Sequence, residues 1–158
     1  MIASRFFLGE TVMSLSEFLE REGYRRVTLG RNGVGHFEAN GTLAGRAIRV
    51  LVDTGAASTV ISLSVARELG LDVTSLGRLG GGAGGTQLEI FQLRGADLEL
   101  EGAHPKPSAL YAMDLTHVNA ALAMKGAAPV EAVLGVDVFD RQKAVIDYGS
   151  SSLFLKDA

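Results

Sequence analysis

A short run, Ala47-Ile48-Arg49-Val50-Leu51-Val52, ends directly on an acid, Asp53. The acid opens a string of small residues, Thr54-Gly55-Ala56-Ala57-Ser58-Thr59, before apolar residues resume at Val60-Ile61. No other feature restricts the folding of this chain as strongly. A carboxylate at the end of a buried strand is costly unless something holds it. Thr54 supplies a hydroxyl, Gly55 lets the backbone turn sharply, and Ala56 and Ala57 leave room beside the acid. The pattern predicts a strand, a tight acid-bearing loop, and a second apolar segment that stiffens the loop from its other side. The tripeptide Asp53-Thr54-Gly55 alone also suits an ordinary turn after a strand. The whole string from Val50 to Ile61 is far more restrictive.

The remainder of the chain reads mainly as short strands. Ser14 and Glu17 have capping-box spacing, Leu15, Phe18 and Leu19 share a face, and Gly23 stops a helix expected over Ser14 to Glu22. Arg25 to Leu29 reads as an edge strand, Arg31 to Gly35 as a turn, and Phe37 to Leu43 as a strand broken at Asn40-Gly41. Ser62 is placed to cap a helix over Leu63 to Leu69, which Gly70 ends. Leu79 to Gly85 is a glycine-rich loop. Thr86 to Leu93 alternates, with Leu88 and Ile90 on one face, and is expected to pair with Ala96 to Leu100 around Gly95. Ala109 to Leu115 reads as a strand and Asn119 to Met124 as a helical turn. Val130 to Leu134 runs apolar into Gly135, Val136 to Gln142 suits a short helix, and Ala144–Asp147 and Ser152–Leu155 form a last hairpin. The sum is mainly β with two or three short helices, arranged as a barrel or sandwich.

Composition narrows the function. With 158 residues the chain is long enough for one domain with a real core. Twenty glycines against three prolines suit tight turns and close backbone approaches. A net charge of -3 argues against nucleic-acid binding, which needs a basic surface. Cysteine is absent, which excludes disulfides and thiolate chemistry. His36, His104 and His117 lack metal-ligand spacing, so no metal is expected. No apolar run reaches the roughly 18 residues of a membrane span. Residues 1–10 are too short and too soon acidic for a signal peptide; the first dozen residues read as a tail, and the chain as soluble and cytoplasmic.

Three segments, in order, resemble the retropepsin-like, single-domain aspartic proteases, in particular their bacterial and cellular branch. The first is Val50 to Ile61. The second is the loop Gly80 to Gly85, where that family carries its flap. The third is Ala132-Val133-Leu134-Gly135-Val136-Asp137-Val138-Phe139 with Ala144-Val145-Ile146-Asp147. The resemblance covers about residues 35 to 157. It implies a mainly β, closed barrel-like acid protease fold over 35–158, preceded by an N-terminal extension, 1–34, with a short helix. It implies catalytic roles for Asp53, Thr54 and Gly55. It also implies substrate contacts from Ala56, Ala57, Ser58, Gly81, Gly82, Ala83 and Gly84, with no cofactor and no metal. Gly80, Gly82 and Gly85 also satisfy a phosphate-binding GxGxxG pattern, but the stretch after it, Thr86 to Leu93, alternates like a strand, where that pattern needs a helix.

The implied chemistry needs two acids. Two neighbouring aspartates cannot both ionise cheaply, so one keeps a proton and the other acts as base on a water between them. Asp-Thr-Gly occurs once here, and Asp-Ser-Gly nowhere. The resemblance therefore implies a homodimer in which Asp53 meets Asp53 of a second copy, cutting an extended peptide or protein. Viral relatives build much of their dimer sheet from chain ends; Ser152 to Leu155 offers such a strand here. Asp137 is expected to cap a helix or bond Arg141 rather than to act as an acid, and Asp147 to be a turn residue. Two other readings stand beside the enzyme: a non-catalytic binding domain of the same fold, and a latent monomer.

Overall fold

The computed structural model describes residues 5–8, 11–81 and 87–157. In chain order the elements are β1 (Arg5–Leu8), β2 (Thr11–Ser14), α1 (Leu15–Arg21), β3 (Tyr24–Thr28), β4 (Gly30–Arg31), β5 (Phe37–Leu43), β6 (Arg46–Val52) and β7 (Val60–Ser62). Then come α2 (Leu63–Glu68), β8 (Asp72–Gly81), β9 (Gln87–Arg94), β10 (Leu98–Glu99), β11 (Leu110–Met113), α3 (Thr116–Met124), β12 (Ala132–Leu134), α4 (Val136–Arg141), β13 (Val145–Asp147) and β14 (Ser152–Lys156). The protein is mainly β, as expected, with four short helices among the described residues where two or three were expected.

The N-terminal segment departs from the expected tail: β1 and β2 pair as an antiparallel ribbon. The capping box at the start of α1 forms in full. Ser14 Oγ accepts from the Glu17 amide at 3.1 Å, and a Glu17 carboxylate oxygen accepts from the Ser14 amide at 2.8 Å. These bonds, the backbone one first, hold the Glu17 carboxyl below the usual carboxylate range. A lowered folded value means that the box is complete above the ordinary carboxylate range and is lost as pH falls through the depressed one. Ser14→Ala is expected to cost about 1 kcal/mol, read as a lower urea midpoint at unchanged slope.

Most strands belong to one sheet of nine, ordered β10-β5-β6-β12-β7-β11-β9-β8, with β4 added beside β5. The order ends on β10 and β8 without closing, which corrects the expected closed barrel. The long β8–β9 hairpin leaves β8 as an outer strand, so the ends do not meet. The pairing expected between Thr86–Leu93 and Ala96–Leu100 does not occur either. Gly95, at φ +68°, turns the chain, β9 pairs with β8 and β11, and β10 crosses to β5. That crossing explains the glycine in β5. A Cβ on Gly41 would collide with the Glu99 carbonyl and the Leu100 side chain, so Gly41 permits β10 to lie there and does not break the strand.

A second sheet has the order β13-β14-β3. The final hairpin is present as expected, and Asp147 is its turn residue, accepting from the Gly149 amide and the Ser150 hydroxyl. However, β3 pairs along the other side of β14 from Ser152↔Thr28 to Lys156↔Tyr24. Ser152–Leu155 therefore has no free edge, which corrects its expected availability for a dimer sheet: a strand bonded on both sides has no backbone donors or acceptors left to offer. The main core draws on both sheets, with Val27, Leu153 and Leu155 packed among Val50, Ile61 and Leu134.

Candidate active site

β6, β7 and β12 position the Asp53 loop. β12 lies between the other two, parallel to β6 (Val133↔Leu51) and antiparallel to β7 (Val133↔Val60). The loop of residues 53–59 therefore leaves one side of β12 and returns on the other. All three residues of β12 are buried, which accounts for its uninterrupted apolar sequence.

Backbone bonds fix the acid. The Asp53 amide donates to the Leu134 carbonyl at 3.0 Å, and the Ala56 amide to the Asp53 carbonyl at 3.2 Å. The side chain of Asp53 is partly buried, and its Oδ1 accepts from the Gly55 amide at 2.8 Å. A Cβ on Gly55 would sit 3.2 Å from that oxygen, a tight approach that favours glycine. Thr54, Gly55 and Ala57 are exposed, and Ala56 and Ser58 are partly buried. Among the described residues no cation forms an ion pair with Asp53.

A second set of bonds anchors the far end of the loop. Thr59 is fully buried. Its amide donates to Asp137 Oδ2 at 3.0 Å and its hydroxyl to Asp137 Oδ1 at 2.8 Å. The same hydroxyl accepts from the Gly135 amide at 3.0 Å. Asp137 Oδ1 also accepts from the Val138 amide at 2.9 Å. Asp137 lies in the first turn of α4 but neither caps the helix, whose N-cap is Gly135, nor bonds Arg141; its carboxylate is taken up by Thr59. Gly135 must be glycine for a steric reason: a Cβ there would lie 2.7 Å from the Ala56 carbonyl oxygen and 2.9 Å from the Ser58 carbonyl. The Val136 amide donates to that same Ala56 oxygen at 2.8 Å.

The expected flap region is the β8–β9 hairpin. Gly81 ends β8, is exposed and pairs with Gln87. Gly82, Ala83 and Gly84 lie outside the described residues. Among those described, no group of three or more potential metal ligands comes together. Thr59 and Asn119 carry no obvious chemistry in the sequence, yet each ties a distant segment to the loop or its strands. Only their long-range partners show it.

One exposed turn, carrying one carboxylate and clamped at both ends, can polarise a water or bind a donor. A paired-aspartate reaction uses two acids, and this turn presents one carboxylate. The sequence profile of the aspartyl protease family matches residues 39–138, from β5 through β12 into α4. The chain belongs to the aspartyl protease family. An uncharacterized protein in the cobV 5′ region of Sinorhizobium sp. is 39% identical over 57 residues, 36% of this chain and 24% of that protein. The match thus takes in about a quarter of that relative's length.

Solved structures agree on the fold of this aspartyl protease family member. The retroviral protease-like domain of Ddi1 from Leishmania major superposes with a TM-score of 0.53 at 18% identity, covering 78% of this chain and 90% of that one. A retropepsin-like aspartic protease from Rickettsia conorii gives 0.52 at 22% identity, covering 84% and 90%. EIAV protease, solved with the inhibitor HBY-793, gives 0.50 at 22% identity, covering 71% and 92%. At these identities the likeness is one of fold, and it bears out the retropepsin-like resemblance read from the three segments.

Proposed function

We propose that the protein is an aspartic endopeptidase that works as a homodimer, with residues 35–158 as the protease half and 1–34 as its extension. The observation that carries this reading is the Asp53 turn, buttressed by Leu134 on one side and by Asp137 and Thr59 on the other, with Thr54 and Gly55 exposed. A rigid turn that presents an acid at the surface suits a site completed by an identical turn. In the dimer the two Asp53 carboxylates share a proton. The ionised one takes a proton from water, the protonated one donates to the scissile carbonyl, and the water attacks without a covalent intermediate. Ala56, Ala57, Ser58, Gly81, Gly82, Ala83 and Gly84 contact an extended substrate, and no metal or cofactor enters.

Dilution tests the proposal. Cleavage of a peptide library at mildly acid pH is expected, with specific activity falling steeply as the enzyme is diluted through its dimer dissociation constant. Activity independent of dilution, from a chain that sediments as a monomer, would overturn it. The dimer contact must lie elsewhere than on β14, whose two edges are already paired.

A further inference from the structure

The Asp53 turn adjoins a second apolar cluster. Ala56, within the turn, and Val60, at the start of β7, pack partly buried on this small cluster separate from the main core. That cluster joins Leu51 and Val133, from the strands that hold the acid, to Leu115, just before α3, and Leu122 within it. Val118 of α3 packs on the same cluster and is also partly exposed. One apolar cluster therefore connects the acid's own loop to α3, with Ala56, Val60 and Val118 partly exposed at its margin.

α3 is fixed to that strand framework. The Asn119 side chain makes two bonds to one residue, donating to the Val130 carbonyl at 3.0 Å and accepting from the Val130 amide at 2.8 Å. Val130 leads directly into β12, whose Leu134 carbonyl holds the Asp53 amide. At the start of α3, Asp114 accepts from both the amide and the hydroxyl of Thr116. The helix is thus held at its start and pinned to the strand that positions the acid.

From this juxtaposition we infer that α3 forms a wall of the substrate cleft and that Val118 is a specificity-determining residue. The inference rests on the proposed peptidase reading of Asp53. An extended substrate crossing the turn lays one side chain against Ala56, Val60 and Val118. These three present only hydrocarbon, so an apolar side chain gains by burial there, while a charged one loses its water without a partner. Differences of a methylene or two in such a pocket discriminate about 10- to 200-fold.

The test is cleavage of a peptide library by the full chain and by Val118→Lys, Val118→Asp and Val118→Ala, with thermal unfolding confirming that each is folded. The wild type is expected to prefer apolar residues at one position beside the cut. Val118→Lys should move that position toward Asp and Glu, and Val118→Asp toward Lys and Arg, each by about tenfold or more in kcat/KM. Val118→Ala should admit bulkier residues. Folded variants that cleave with the wild-type profile overturn the wall and leave the peptidase reading intact. A wild type that cleaves nothing overturns both.

Discussion

Asp53→Asn is expected to lower kcat by about 10³-fold or more, with the unfolding midpoint close to that of the wild type. An amide can still accept the 2.8 Å bond from Gly55 through its oxygen, so the turn survives. What it cannot do is hold a negative charge and take a proton from water, a role worth about 10²- to 10⁴-fold. A dimer doubles the defect, because both acids change together. Mixing sharpens the test. In an equimolar mixture of wild-type and Asp53→Asn chains that exchange subunits freely, only wild-type pairs carry two acids, so about one quarter of the activity of an all-wild-type sample remains. Half remaining would mean that each chain works alone, and unaltered cleavage by the variant itself would remove Asp53 from the mechanism.

Asp137→Ala is expected to be the most damaging substitution for stability, about 3 kcal/mol or more. It removes the acceptor for both the amide and the hydroxyl of fully buried Thr59, and each buried donor left unpaired costs about 1–3 kcal/mol. Asp137→Asn should cost less. Its remaining oxygen can serve the Thr59 hydroxyl and the Val138 amide, while its amide group faces the Thr59 N–H donor to donor. The measurement is urea unfolding of the three proteins. An Asp137→Ala midpoint within about 0.5 kcal/mol of the wild type would show that the clasp contributes nothing.

What the sequence makes legible here is local. Ser14 and Glu17 lie three residues apart, Asp147 bonds within its own turn, and the Val50–Ile61 string carries its strand, loop and strand in order. What it hides depends on partners brought from far away. β8 escapes the alternation rule because its pairing slips between Ser75 and Leu79, where Gly77 takes φ +63°. Residues left unpaired at such an irregularity interrupt the two-residue period by which a strand is recognised. The glycine of β5 makes sense only once β10 is seen crossing it. The inner position of β14 depends on β3, more than a hundred residues earlier in the chain. The short helix around Asp137 was legible, but the acid's bond to Thr59, in place of a cap, was not, because nothing in either local sequence points to the other.

The placement of β12 between β6 and β7 also bears on when the site can come into being. The loop's two flanking strands are made before the strand that separates them, and before the glycine and the aspartate that grip the loop. Contacts so distant in sequence form slowly, because the intervening chain must be closed first. A nascent chain still lacking residues 132–137 already has Asp53 but has neither the Leu134 carbonyl nor the Asp137 carboxylate to hold its turn. The acid is therefore translated before it is aimed, and a copy truncated ahead of residue 132 lacks both of these holds on its turn.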